Sequence, residues 1–275
     1  MKNLLLFLVF VCTLSLPCWG NPVPFSPIVR NYSVLDYNAG NENWAVAQDG
    51  RGVMYFGNNS GLLRYDGSRW KLFPLPASGI VRAVYVASDG RIYVGSFEEF
   101  GYFEENDLNL LEYHSLKDQV KGFNFHNDEI WTIVEQGGNI VFQSFGSYFI
   151  YDGTTTKGVR CHELPLNLFR VGDTVYSQLI NAGVCVFTGD RFTPLISRQE
   201  LGNSDVLAGL PYPGGMLLLT RNSGGYLYTS SGIRPWHTDC DEALKRHTAN
   251  RAVMTKDSCY VIGTISNGLY ALSKE

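Results

Sequence analysis

Four short apolar runs, separated by turn signals, occupy residues 44–74: Trp44-Ala-Val-Ala-Gln-Asp-Gly50, Val53-Met-Tyr-Phe-Gly57, Gly61-Leu-Leu-Arg-Tyr-Asp-Gly67 and Trp70-Lys-Leu-Phe-Pro74. Each run has the length of a β-strand, and neighbouring runs are joined by Asp-Gly or other Gly-marked turns. Asp-Gly supplies the positive φ that a tight hairpin turn requires. The stretch therefore predicts a four-stranded antiparallel meander in which each strand pairs with the next.

The same arrangement recurs along the rest of the chain. Matching positions in six copies lie 38, 48, 34, 43 and 43 residues apart, at Gly57, Gly95, Gln143, Ser177, Thr220 and Gly263. One four-stranded unit per period of this length is typical of a β-propeller blade. We therefore predict an all-β fold, a β-propeller of about six four-stranded blades within residues 21–275, with blades near 38–76, 77–119, 120–163, 164–198, 199–239 and 240–275.

The two ends of the repeat region suggest how the ring closes. The sixth copy stops after its third strand, and the run Ile28-Val-Arg-Asn-Tyr-Ser-Val34 precedes the first blade and resembles a fourth strand. Closure removes unpaired sheet edges, which invite aggregation. We predict that a strand over 28–35 pairs with the last blade. The alternative is that the chain is the opening part of a longer propeller array.

The first twenty residues have the features of a secretory signal peptide. Lys2 is followed by an apolar run from Leu4 to Leu16, and Cys18-Trp19-Gly20 offers small residues at the −3 and −1 positions of a cleavage site. The run is too short for a stable membrane span. We predict cleavage near Gly20, a periplasmic or secreted location, and no further span. Lipidation at Cys18 is the alternative, although Pro17 stands where a small residue is expected.

Composition excludes some classes of partner. The chain is 45% hydrophobic and 17% charged, with a formal net charge of −4. No Lys/Arg cluster would attract phosphate, so nucleic-acid binding is not expected. Four cysteines follow the signal peptide: Cys161, Cys185, Cys240 and Cys259. One or two disulfides are open to them in an oxidising compartment, but a buried free thiol is the favoured interpretation of Cys185 and Cys259.

Catalytic, metal and cofactor signatures are absent from the sequence. The five histidines are scattered, no Gly-x-Ser-x-Gly or His-Glu-x-x-His occurs, and no Gly-rich phosphate loop opens a helix. The acidic pair Glu98–Glu99 could suggest glycoside hydrolysis, but neighbours on a strand point to opposite faces. We interpret it as solvated loop charge and expect no enzymatic activity, no cofactor and no metal.

Aromatic residues near turns are the better candidates for ligand binding, because sugars stack their apolar faces on rings and present hydroxyls to a few polar partners. The candidate site residues are Phe97, Phe100 and Trp236, with Glu98, His126 and His237 as polar partners. Trp44 and Trp131 lie in strand-like runs, and we interpret them as blade-packing residues.

Three copies of the repeat resemble a known family. Asp49 to Gly67, Ser88 to Gly95 and Cys259 to Leu272 are similar to the two-component-regulator propeller repeat, which has an Asp-Gly, a short strand ending in an aromatic and a Gly, and a Tyr-Asp-Gly tail. The resemblance implies a periplasmic sensor propeller, the input part of a glycan-responsive signalling system. The implied partners are a glycan or oligosaccharide and further propeller or receptor domains.

Two other functions remain open. The propeller could be an interaction scaffold that docks another protein without a small ligand, because rigid rings with variable loops suit that role equally well. It could also be a propeller glycosidase or lyase. The sequence favours the sensor, since no convergent acid, base or metal set is present.

Overall fold

The computed structural model describes residues 29–76, 79–108, 110–189 and 191–273. The predicted signal peptide (1–20) and its cleavage point lie outside these residues. Residues 29–33 belong to a separate unit and contain neither helix nor strand. The fold described below begins at Val34.

In the described residues, 23 strands form six antiparallel sheets, each a meander in chain order. The first five sheets have four strands and the sixth has three. We number them blades 1 to 6, and the first strand of each is its inner strand. The strand bounds are: blade 1, β1 (Asn43–Gln48), β2 (Met54–Asn58), β3 (Gly61–Tyr65) and β4 (Trp70–Phe73); blade 2, β5 (Ala83–Val86), β6 (Ile92–Gly95), β7 (Phe100–Glu105) and β8 (Leu111–Ser115); blade 3, β9 (Thr132–Gln136), β10 (Asn139–Gln143), β11 (Ser147–Tyr151) and β12 (Thr156–Arg160); blade 4, β13 (Pro165–Val171), β14 (Thr174–Leu179), β15 (Gly183–Phe187) and β16 (Phe192–Ser197); blade 5, β17 (Val206–Tyr212), β18 (Gly215–Thr220), β19 (Gly225–Thr229) and β20 (Gly232–Trp236); blade 6, β21 (Ala249–Met254), β22 (Tyr260–Thr264) and β23 (Leu269–Leu272). The predicted all-β, six-bladed propeller is confirmed.

Helix is scarce in the described part of the chain. It consists of α1 (Val34–Tyr37), α2 (Asp241–Arg246) and two 3-10 turns, Lys117–Gln119 and Gln199–Leu201. Helix α2 connects blades 5 and 6, with acidic residues in its first turn and basic residues in its last, as the helix dipole favours. Each of these helices is too short to cross a lipid bilayer.

The Asp-Gly turns are fixed by their aspartate side chains. In blade 1, Asp49 Oδ1 accepts hydrogen bonds from the backbone N–H groups of Arg51 and Val53, both at 2.9 Å. Asp66 accepts from Ser68 and Arg69 in the next turn, and these bonds lower its pKa to about 2. Such Asx turns stabilise a hairpin locally, so the Asp-Gly signal specifies real turns.

The core lies between neighbouring blades. Tyr55 and Leu62 of blade 1 pack against Val81 and Val94 at blade 2, and a comparable buried apolar cluster joins each successive pair of blades through to blade 6. At the first interface a Cβ on Gly57 would lie 2.6 Å from the Val81 carbonyl oxygen. Blade 1 therefore needs glycine at this position, because the chain entering blade 2 passes directly over β2.

The predicted closing strand is wrong. Residues 29–33 contain no strand, and Val34–Tyr37 form α1 instead of a strand over 28–35. The Asn38 N–H donates to the Val34 carbonyl at 2.7 Å, and the Tyr37 ring packs 5.5 Å from that of Trp70 on β4. The aromatic ring of Tyr37 therefore packs on blade 1.

Blades 1 and 6 consequently face each other across an open seam. No buried apolar cluster of the described residues joins them, in contrast to the other five pairs of neighbouring blades. Val46 on β1 is 58% exposed, Val253 on β21 is 59% exposed and Leu269 on β23 is 75% exposed. Among the described residues, strand β23 also lacks the outer strand that covers the third strand of every other blade.

None of the four cysteines forms a disulfide. Cys185 is buried, and the other three, Cys161, Cys240 and Cys259, are partly buried. Burial raises the pKa of the Cys161 thiol to about 11, so it is protonated at neutral pH. Cys185 is thus a buried free thiol, as the sequence predicted, and Cys259 is a free thiol that is only partly buried.

Candidate functional site

The strand order fixes which loops share a face. In a four-stranded meander, the connection between strands 2 and 3 lies at the same end as the connection between blades. We call the end where the inner strands begin the front face. All six predicted site residues lie on or next to front-face connections: 97, 98 and 100 around the β6–β7 loop, 126 before blade 3, and 236 and 237 before blade 6.

A cavity of about 560 Å³ runs along the inner strands. All six inner strands, or the residues just before them, contribute to its wall, so it is the central channel of the propeller. Phe56, on the second strand of blade 1, also lines it, so the cavity extends toward the open seam. Its wall is mainly apolar, and its polar and charged residues are Asn43, Arg82, Thr132, Asn167 and Arg251.

Two tryptophans and an arginine meet at the front of this cavity. The guanidinium carbon of Arg82 lies 3.7 Å from the ring centroid of Trp44 and 5.3 Å from that of Trp131. The two indole rings are 6.3 Å apart and nearly perpendicular. Arg82 Nε donates to Glu129 Oε1 at 2.6 Å, and Trp44 Nε1 donates to Asn59 Oδ1 at 2.7 Å. The cluster therefore presents rigid aromatic surface, held by cation–π contacts and hydrogen bonds.

Two buried polar atoms beside this cluster are unsatisfied. Arg82 Nη1 and Asn167 Oδ1 have no hydrogen-bond partner among the described residues. An unmade hydrogen bond at a buried group costs roughly 1–3 kcal/mol. Such groups in a native fold call for an explanation.

Three of the predicted residues lie together beside the cluster. Phe97 forms an isolated β-bridge with Glu129, the partner of Arg82, and its side chain is 48% exposed. Glu98 accepts a hydrogen bond from the Asn127 N–H at 3.0 Å, next to the exposed His126. The structure therefore brings these three predicted residues together on the front face between blades 2 and 3.

Asp128 anchors this pair of loops. It is buried and accepts hydrogen bonds from the His126 N–H and from Ser144 Oγ, and Arg160 lies at 3.3 Å. Burial alone would raise the pKa of Asp128, but these hydrogen bonds and the nearby Arg160 outweigh it and hold the pKa below its usual range. The carboxylate is ionised at neutral pH and serves to order the loops.

The remaining predicted residues do not join the cluster. Phe100 is fully buried and packs 4.8 Å from both Phe142 and Phe149, so it cannot contact a ligand in this conformation. Trp236 packs edge-on against Tyr260, and His237 is exposed beside Asp241, 3.1 Å away. Both lie at the connection between blades 5 and 6, three blades from Phe97.

Sequence reasoning misjudged the tryptophans. Trp44 and Trp131 were expected to pack between blades, but both line the cavity together with Arg82. A signal was present: Ala45, Ala83 and Thr132 pair with the repeat positions Gly57, Gly95 and Gln143. Each of those three residues is preceded by one member of the cluster. Equivalent positions in successive blades point to the same axis.

The cluster has the residues of a binding site and lacks those of a metal site. Among the described residues, no group of three or more His, Cys, Asp or Glu could hold a metal ion. The aromatic and guanidinium groups can stack and donate hydrogen bonds. None of the residues lining the cavity is a carboxylate or histidine positioned to transfer a proton.

Comparison with known proteins supports the propeller fold. No protein-family model matches the chain, and no curated protein matches it. Among solved structures, it is similar to the extracellular domain of the putative hybrid two-component system BT3049 from B. thetaiotaomicron, with a TM-score of 0.68 and 14% identity over 93% of this chain and 35% of that one. The corresponding domain of BT4673 from the same organism gives a TM-score of 0.64 and 15% identity over 86% and 32%.

The chain therefore spans about a third of the length of these two relatives. Virginiamycin B lyase from Staphylococcus aureus has a similar fold as well, with a TM-score of 0.63 and 10% identity, covering 84% of each chain. At these identities the likeness establishes the propeller fold alone.

Proposed function

We propose that this chain is a ligand-sensing propeller that works outside the cytoplasm, as input module of a signalling system, and that it binds a glycan in its central cavity. The observation that carries the proposal is the pair of indole rings, Trp44 and Trp131, set around Arg82 at the front of a cavity of about 560 Å³. Ring faces for stacking plus a few fixed polar groups are what saccharide recognition needs.

Other features support the same proposal. The sensor-domain relatives are extracellular domains by description, which agrees with the signal peptide predicted here. The surface beyond the cavity mouth is formed by the exposed Phe97 and the ordered loops that carry Glu98 and His126. An oligosaccharide longer than the cavity would contact this surface. These loops are rigidly held by Asp128, which lowers the entropic cost of binding.

Thermal stabilisation by a panel of oligosaccharides tests the proposal. A ligand at one hundred times its dissociation constant adds roughly 2.7 kcal/mol to the free energy of unfolding. We expect at least one saccharide to stabilise the chain, and Trp44→Ala to abolish that stabilisation. Trp236→Ala is the matched control, because it removes a partly buried tryptophan two blades from the nearest residues of the cluster, and it should retain the effect.

The outcomes separate the alternatives. Stabilisation lost in Trp236→Ala but kept in Trp44→Ala would move the site to the connection between blades 5 and 6. Turnover of the stabilising saccharide would make the chain an enzyme. If no saccharide in a broad panel stabilises the chain, glycan binding is contradicted and an interaction scaffold is favoured.

A further inference from the structure

The charges lining the central cavity are all of one sign. Arg82 and Arg251 are the charged residues in its wall, which contains no aspartate or glutamate. The chain as a whole has a formal net charge of −4. The cavity wall therefore carries positive charge within an acidic protein, and Arg251, which is exposed, is open to an approaching anion.

Only one of the two arginines has a counter-ion. Arg82, whose side chain is 15% exposed, is paired through Nε with Glu129. Arg251 forms no ion pair with any described residue, and its Nη1 makes a long 3.4 Å contact with the carbonyl of Asn250. The cluster of Arg82, Arg251 and Glu129 thus carries one uncompensated positive charge at the cavity.

The chemistry of these groups selects a class of ligand. A guanidinium binds carboxylate or sulfate oxygens with two parallel, charge-assisted hydrogen bonds. Trp44 and Trp131 line the same cavity, and indole faces stack on the apolar face of a sugar ring. A saccharide that carries an anionic group satisfies both features at once.

Resting on the proposed function, we propose that the cavity takes an acidic saccharide, with its carboxylate or sulfate on Arg251 and a sugar ring on the Trp44–Trp131 pair. The anion supplies the missing counter-charge. A neutral saccharide would leave the charge of Arg251 unbalanced and bind more weakly.

Calorimetric titration of the full chain with three matched probes tests this assignment: trigalacturonate, galactotriose and sulfated galactotriose. We expect an acidic probe to bind at least about tenfold more tightly than the neutral one, the size of one charge-assisted hydrogen bond. The comparison of trigalacturonate with the sulfated probe tells carboxylate from sulfate. Affinity for the acidic probe should fall as salt rises.

Variants locate the charge. Arg251→Gln should weaken the acidic probe about tenfold and leave the neutral probe unchanged, whereas Arg251→Lys should restore part of the loss. Arg234→Gln, at an exposed arginine on the outer strand of blade 5, is the matched control and should change neither. Melting curves of each variant verify folding, and Arg82→Lys provides a second variant of the same wall.

Failure of this inference is distinct from failure of the proposed function. Equal affinity for neutral and acidic probes, unaffected by Arg251→Gln, would overturn the acidic assignment and leave glycan binding intact. Absence of binding by all three probes and by the wider oligosaccharide panel would overturn both.

Discussion

Two phenylalanines three residues apart show how single residues divide between fold and site. Phe97 follows β6 and is half-exposed on the front face, whereas Phe100 begins β7 and is enclosed by Phe142 and Phe149. In the sequence, both residues lie in the same short run of aromatic and acidic residues. Only the direction of the side chain, which depends on the loop between them, decides which one can meet a ligand.

This division predicts opposite results for the two alanine variants. Phe100→Ala should lower the free energy of unfolding by about 3–5 kcal/mol, because it opens a cavity in the core between blades 2 and 3. Phe97→Ala should change it by less than about 1 kcal/mol, since half of that side chain already contacts solvent. Urea denaturation of both variants checks the prediction. Equal losses would mean that Phe97 is a core residue and does not belong to the site.

At the scale of elements, blade 6 differs from the other five in two ways. Among the described residues, no outer strand pairs with its third strand, β23. No buried apolar cluster of these residues joins blade 6 to blade 1. Its residues alternate between exposed and half-buried along β23, in contrast to the fully buried β6 of blade 2. Fewer buried contacts per strand mean a lower cost of local opening.

Hydrogen exchange should therefore reveal a gradient around the ring. We expect the amides of β22 and β23 to exchange faster than those of β6 and β7, because they exchange through local opening of blade 6 and do not need global unfolding. Mass spectrometry of peptides spanning 260–272 and 92–105 measures the two rates under the same conditions. Uniform protection would show that the seam between blades 1 and 6 is closed in solution.

At the scale of the whole molecule, the sequence predicted what the repeat encodes. Asp-Gly turns such as the one at Asp49 fix hairpins locally. The position that Gly57 occupies in blade 1 recurs in each blade, and in blade 1 it lies where the chain enters the next blade. Both signals are short-range, so they survive in a single sequence. The number of blades and their antiparallel order follow directly from them.

The seam and the cavity could not be predicted in the same way. The run over 28–35 has the residue pattern of a strand. Tyr37, just after it, packs on Trp70 of blade 1, and a contact between residues so far apart in sequence cannot be read from a local pattern. The cluster of Trp44, Arg82 and Trp131 brings together residues 87 positions apart in the chain. Their shared offset from the repeat positions becomes informative only once the register of each blade is known.

The central claim is that the channel of this propeller is a saccharide-binding site. A crystal structure of the chain soaked with trigalacturonate tests it most directly. We expect electron density for a sugar ring against Trp44 and Trp131 and for a carboxylate at Arg251. Density for the sugar at Trp236 and His237, or a cavity that holds only water while the saccharide lies elsewhere, would contradict it.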